Sequence, residues 1–539
     1  MAYTPQERQL LAQYFSVVEP AAHADVYLVR NLPPETAATL NGVYSRSPLS
    51  MRDNFLSRLK KGLEESGRRF EDLALPATPD RDWLAEILDD KSGQFLKTYA
   101  IDHGHNSLRE GSWLHMAVEN VSQLVTRFIQ RERRCSFEES STRYISFSHE
   151  GHWRDPDVTA AGGEIAAAYE AVIAETFGFY QELQQLLPDH LRRLRGLQPG
   201  EKPAAYERAL RAEAFDSARY LLTPALYTKW GLVADARTVA EIVVELLSHP
   251  LAEFRTVGAR IKQQADLVVR TLLTHAKANA FLTAQHRTAS ELAAELGLRA
   301  PRPAAGRPGV QLLACDPELD DKLLAALLYE QGSLPFAEVL AQVKAQPPAG
   351  RERLFTSLMA ARGPRDSLPF ALEGAQPFDF EILVDFGAYR DIGRHRKGMQ
   401  QQQVLTTCHG YLVPPLIKEA GLEARYREVL ERAASHREQI ARRLPMQAGY
   451  VTPFAFLQRA RLIFDPRQVG YFIELRSTPE GHFAYRQIAL EMFELVRQRA
   501  PLFARCIRAH EDPVLLGRLQ AEQTADERRL RRMQAAGDA

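Results

Sequence analysis

"RERRCSFEESSTRYISFS", residues 131–148, sets four arginines (Arg131, Arg133, Arg134, Arg143) among Ser136, Ser140, Ser141 and Thr142, in a 539-residue chain with no net charge. Taken alone, the stretch reads as a solvated face braced by i,i+4 glutamates. The other reading is the wall of a site for an anion, because hydroxyls and planar guanidinium forks are the donors a phosphate takes. The rest of the chain decides between them.

Lys+Arg and Asp+Glu balance at 68 each, so no overall field draws nucleic acid or a membrane surface. The hydrophobic share of 45% and charged share of 25% fit a soluble globular protein, and the length implies two or more domains. Cys135, Cys315, Cys408 and Cys506 are scattered without a CxxC, and His103 with His105 supplies only two ligands, so no metal site is expected. The N-terminus lacks a signal pattern and no apolar run is long enough to span a bilayer, which leads us to expect a cytoplasmic protein.

"GLRAPRPAAGRPGV" at 297–310 is a Pro/Gly/Ala-rich break that reads as a linker. The segments on either side repeat one another in order. Each starts with a serine closely following a glycine (Gly104-x-x-Ser107 and Gly363-x-x-x-Ser367), then a strand-forming stretch ("FDFEILVDF" in the second) and a basic element. A long amphipathic stretch ending at proline follows ("EIAAAYEAVIAETFGFYQELQQLLP" and "EARYREVLERAASHREQIARRLP"). Last comes Asp-x-Arg before an apolar helical run, at Asp235/Arg237 and Asp465/Arg467, where aspartate suits an N-cap. These likenesses indicate a tandem duplication: a first copy over 20–296, a second over 311–511, and peripheral ends at 1–20 and 512–539, the latter an exposed helix.

With that frame, Arg131-x-Arg133-x-x-Ser136, continuing to Ser141-x-Arg143-Tyr144, resembles the signature of the flavin-dependent thymidylate synthase family, Arg-His-Arg-x-x-Ser followed by Ser-x-Arg-Tyr. "HGHNSLREG" is similar to the lead-in of that signature, and "IELRSTPEGHFAYRQIALEMFELV" to the family's C-terminal helix. The resemblance implies an α+β fold: two tandem copies of the family fold, each an antiparallel or mixed sheet flanked by helices, forming an intramolecular pseudo-dimer. It implies FAD as cofactor, with NADPH and methylenetetrahydrofolate as co-substrates in a methyl transfer converting dUMP to dTMP. It assigns flavin contacts to Arg131, Arg133, Ser136, Arg394, His395 and Arg396, and nucleotide contacts to Ser141, Arg143 and Tyr144. Arg476 becomes the cation at the base ring, where it would stabilise developing negative charge. Glu139 either accepts from a nucleotide hydroxyl or pairs with Arg143.

The departures are complementary. The first copy has Glu132 in place of the middle histidine and an apolar residue near Leu246 in place of the base-side arginine. The second keeps Arg394-His395-Arg396 and Arg476 but has "KGMQQQQVLTT" for the phosphate turn. A family glutamine is replaced by Phe128 in one copy and Asp391 in the other. One composite site per chain is the expectation, in a homodimer of two-copy chains that mimics a tetramer. The rival expectations are a non-catalytic flavin- or nucleotide-binding homologue, and an enzyme of the same scaffold acting on another pyrimidine nucleotide.

Overall fold

Strands form where apolar and polar side chains alternate. In the computed structural model, which describes residues 3–21, 24–143, 147, 151–298, 306–512, 519, 522–524 and 526–528, they are β1 (Trp113–Ser122), β2 (Cys135–Glu139), β3 (Tyr227–Asp235), β4 (Gly309–Ala314), β5 (Phe378–Asp385), β6 (Met399–Gln402) and β7 (Leu457–Phe464). They make two small sheets, ordered β1–β3–β2 and β4–β5–β7–β6, and every pairing described (β2–β3, β4–β5, β5–β7, β6–β7) is antiparallel. With the many helices around them the fold is α+β.

The chain forms two compact units that intercalate along the sequence: 1–119, 134–139 and 229–299 in the first, and 120–133, 140–228 and 300–539 in the second. In the first unit, helices Pro5–Tyr14, Met51–Glu65 and Arg81–Leu96 bury Leu10, Leu11, Tyr14, Phe55, Leu59, Leu63, Leu84 and Leu88 against one another. Tyr3, Leu10, Leu11, Tyr14 and Phe15, in the stretch expected to be peripheral, are therefore part of a core. Their apolar positions recur at helical spacing behind a Thr4–Glu7 capping box.

The second unit is built on β5. Phe378, Phe380, Ile382 and Val384 point into its core, while Asp379 and Glu381 point outward to Arg461 and Arg459 of β7 at 2.8 Å each. Helices Gly163–Leu194 and Glu423–Ala441, matched stretches in the repeat, lie antiparallel in this unit. Arg425 pairs with Glu182 and Arg432 with Glu175, and Arg425 also stacks over Phe179. The first helix does not stop at its proline as expected. It runs through Pro188, because Leu183, Leu187 and Leu191 keep one buried stripe and outweigh the lost backbone bond. The expected linker overlaps β4 at Gly309, and its residues 299–305 lie outside the described ones. In the C-terminal segment, Leu519 is buried and Glu522 and Asp526 hold Arg208.

Element order repeats between the halves. β1, helix Gln123–Ile129, β2, β3 and helix Ala236–Leu247 follow in the sequence of β5, helix Phe386–Ile392, β6, β7 and helix Pro466–Arg476. Asp235 and Asp465 cap the last helix of each set, accepting from Thr238 and Gln468 at 2.8 Å. Sheet order β1–β3–β2 matches β5–β7–β6, with β4 added at the edge of the second.

A Cβ at Gly398 would stand 2.0 Å from Cδ1 of the buried Phe464 and 3.0 Å from the Ile463 carbonyl. Gly398→Ala is expected to cost about 1–3 kcal/mol as an overpacked contact, read as a fall in the thermal midpoint. An unchanged midpoint would contradict this packing.

Candidate active site

Helix Phe386–Ile392 follows β5 directly, with Asp385 capping it through a 2.6 Å bond from the Ala388 amide. Seven residues leave most of its carbonyls at a free C-terminal end, which attracts cations. Arg127 donates to the Arg390 carbonyl at 2.9 Å, Arg476 to the Asp391 carbonyl at 2.8 Å, and Arg219 to the Gly387 carbonyl at 3.0 Å and Asp391 Oδ2 at 3.4 Å. Arg390 itself donates to Thr142 Oγ1 at 2.9 Å, tying the 140–143 turn to this helix. Burial disfavours the Asp391 charge, but Arg219, Arg143, Arg394 and Arg476 outweigh it and hold the carboxyl well below its usual range.

The turn delivers Arg143, whose amide bonds Ser141 Oγ at 3.2 Å. Its guanidinium forks Asp216, with Nε–Oδ1 2.8 Å and Nη2–Oδ2 2.9 Å, and donates to Tyr485 Oη at 2.8 Å and the Glu480 carbonyl at 3.4 Å. Four of its five donors are thus committed. Burial opposes the Arg143 charge, but Asp216 overrides it and tightens its hold on the proton. His482 is buried beneath the pair. Its Nε2 donates to the Asp216 carbonyl at 3.1 Å while Nδ1 accepts from the Ala484 amide, which fixes the Nε2–H tautomer.

Arg476 reaches the same place from helix Pro466–Arg476. Its Cζ lies 5.1 Å from the Tyr485 ring centroid, and that of Arg143 lies 5.5 Å from it. Its Nε donates to His395 Nε2 at 2.8 Å. An arginine only donates, so this nitrogen carries a lone pair and Nδ1 holds the proton; the Gln468 side-chain amide, 3.2 Å from Nδ1, then turns its oxygen to accept it. Burial, then the Arg476 charge, keeps the His395 pKa well below ordinary and the ring neutral. Arg476 is thereby fixed at Nε and Nη2, while its Nη1 donors remain uncommitted among the described residues.

Arg143, His395 and Arg476, singled out from sequence, therefore meet through Tyr485, all within the second unit. Ser141 holds the turn, and Tyr144 lies outside the described residues. Arg131 is exposed, stacked 3.9 Å over Phe128, and Arg133 is exposed. Arg394 is exposed and Arg396 half-buried. Ser136 and Glu139 lie on β2, in the first unit. Sequence reasoning missed Asp216, the partner of Arg143, together with Arg219, His482 and Tyr485. Asp216 falls in a stretch read as surplus length, and its only signal is its place three residues before Arg219.

No group of three or more His, Cys, Asp or Glu able to hold a metal is present among the described residues, and no helix there is long and apolar enough to cross a membrane.

The family profile described as thymidylate synthase complementing protein matches residues 71–269 and 369–502, more than half of the chain. The chain belongs to the thymidylate synthase complementing protein family. Among its relatives, a UPF0159 protein of Chlamydia muridarum is 27% identical over 96% of this chain and 98% of its own length. A UPF0159 protein of Thermoplasma acidophilum is 25% identical over 80% of this chain and 92% of its own. The flavin-dependent thymidylate synthase of Nitratidesulfovibrio vulgaris is 29% identical over 19% of this chain and 41% of its own.

Two outcomes follow for this thymidylate synthase complementing protein family member. Asp216→Ala leaves a buried guanidinium without its anion and is expected to destabilise by about 3–5 kcal/mol. Adding Arg143→Met should restore most of that loss in urea unfolding, and a second loss of equal size would contradict the pairing. Burial, Asp216 and Glu419 push the Glu213 carboxyl up to about 7, against the pull of Arg143. A folded-state value above the unfolded 4.5 makes its contribution to stability fall as pH rises between the two and level off above. The thermal midpoint of Glu213→Gln relative to the unsubstituted protein should accordingly climb from pH 5 to pH 7.5; a constant difference would contradict the shift.

Proposed function

We propose that this chain is a flavin-dependent enzyme of nucleotide metabolism that methylates dUMP to dTMP with methylenetetrahydrofolate and NADPH, through one composite site per chain. The observation that carries the reading is the convergence of Arg143 and Arg476 on Tyr485. One comes from the half that keeps the phosphate turn and the other from the half that keeps the base-side cation. Supporting the duplication behind it, Ala225 N donates to the Tyr450 carbonyl at 2.8 Å and Ala455 N to the Tyr220 carbonyl at 3.0 Å. Matched positions exchanging matched bonds is the habit of a two-fold interface.

In this reading the uncommitted Nη1 of Arg476 faces the nucleotide base, and the charge developing there meets a cation already fixed by His395 and Asp391. His395 serves as a positioning residue, since both ring nitrogens are engaged by protein. The guanidiniums of Arg131, Arg394 and Arg396 are the donor set suited to a dinucleotide pyrophosphate, with Arg133 as a further contact, and bound FAD would supply the hydride chemistry. Ser141 and Tyr144 remain the proposed contacts of the nucleotide's phosphate and sugar. Two such chains as a homodimer would present four copies.

A second reading is favoured by one specific fact: Arg143 spends its fork on Asp216 rather than on a ligand. This suits a binding homologue without turnover, or an enzyme for another pyrimidine nucleotide. The protein is expected to be yellow and to release tritium from 5-labelled dUMP only with methylenetetrahydrofolate and NADPH. Arg476→Met should retain the flavin and lose about 10²–10³-fold in turnover. Flavin absorbance without tritium release would replace the first reading by the second, and a colourless protein that takes up no FAD would defeat both.

A further inference from the structure

Gln468 and Arg476 stand two turns apart on helix Pro466–Arg476, and the ring of His395 joins them. The Gln468 amide lies 3.2 Å from Nδ1 of that ring, and Nε2 lies 2.8 Å from Nε of Arg476. Gln468 and His395 are both buried. The ring is also held in place from other sides. Phe472 meets it edge-on at 4.8 Å and Tyr471 lies 5.6 Å away. The His395 amide donates to the Ile392 carbonyl at 3.1 Å, and its own carbonyl accepts from the Gln400 side chain at 2.9 Å.

One proton arrangement satisfies all three side chains. The other tautomer would set the ring's Nε2–H against the Nε–H of Arg476 and cost that bond. Which nitrogen of a neutral imidazole carries the proton is set by the partner of the other nitrogen, and here the far partner is Gln468. A role in packing alone would be needed in both halves of the duplication, since both build the same capped helix. The first half lacks the whole series. Counted from the capping aspartates, Thr238 stands for Gln468 and Leu246 for Arg476, while Glu132 stands for His395. Thr238 turns its hydroxyl back to Asp235 at 3.0 Å. The three members are kept together in one half and replaced together in the other, as parts of one device would be.

We propose that Gln468 is a positioning residue: by accepting the Nδ1 proton it fixes the tautomer of His395, and through that ring it holds the Arg476 guanidinium with Nη1 left for a ligand. Its effect on turnover rests on the reading of Arg476 as the base-side cation, whereas the tautomer is a property of the fold alone. An amide suits the task because it accepts without bringing charge. A carboxylate in its place would favour the imidazolium, which presents an N–H to Arg476. Burial and Arg476 oppose the charged ring at present, Asp391 favours it and Arg396 opposes it.

The tautomer is read directly by nitrogen NMR of the full-length protein labelled with 15N-histidine, the His395 signals being those lost in His395→Asn. Nδ1 is expected to be protonated and Nε2 bare. Gln468→Met, similar in length but without the oxygen, should move the signals to Nε2–H or to a mixture of tautomers. In the FAD-loaded protein the same variant should lose about tenfold in kcat, the scale of one hydrogen bond, with the KM for dUMP and the affinity for FAD unchanged. Gln468→Glu should lose turnover relative to the unsubstituted protein as the pH falls from 8.5 to 6, and its ring should become doubly protonated over the same range. This arm decides the matter if Gln468→Met fails to fold. An Nε2–H ring in the unsubstituted protein, a Gln468→Met ring that keeps Nδ1–H, or a Gln468→Glu turnover ratio independent of pH would overturn the role of Gln468. If the tautomer responds as expected but not even the unsubstituted protein releases tritium from dUMP, the relay stands and the reading of Arg476 as a cation at the nucleotide base falls.

Discussion

A guanidinium taken out of water must be paired, and Arg143 is paired three ways at once. Asp216 takes its fork, Tyr485 takes a third donor and the Glu480 carbonyl a fourth contact. Those partners come from helix Pro203–Ala218, from helix Phe483–Arg499 and from the segment leading into it, so Arg143 ties its turn to chain more than 300 residues away. An ion pair of this kind adds little net stability compared with apolar packing, but breaking it is expensive. Its value lies in registering the stretches to one another. Tyr485 is held by its hydroxyl and offers its ring to Arg476, so the placement of the second cation depends on the first.

Helix Phe386–Ile392 is the other fixed point. Three arginines satisfy carbonyls along it and a fourth, its own Arg390, reaches back to Thr142. Positive charge collects there because the helix end and the buried Asp391 stabilise it, and Arg476 exceeds what those anions consume. A cluster with more guanidinium than carboxylate, and with donors left on one member, is what the proposed anionic ligand would need.

Much of this was legible in the sequence where local chemistry sets local structure. The alternation of "FDFEILVD" gave β5, and Asp235 and Asp465 capped the helices that their positions implied. Arg143 and Arg476 stood out because their neighbours matched a family signature. Asp216 did not stand out, since its meaning is a contact with a residue 73 positions away and nothing near it in the chain announces that. His395 was legible as a residue but not in its role: the triplet shows a histidine between two arginines, whereas only the fold shows its ring turned inward to hold Arg476. Pro188 was misleading, because a buried leucine stripe overrode the usual helix stop. The intercalated units were also out of reach, since a partition of the chain depends on which distant segments pack.

The account stands on one composite site shared by two unequal halves. Its most direct test is the stoichiometry of dUMP binding to the FAD-loaded, full-length protein by calorimetric titration. One nucleotide per chain is the predicted result. Two equivalent nucleotides per chain would contradict it, because each half would then own a complete site and the meeting of Arg143 and Arg476 at Tyr485 would not be what creates it.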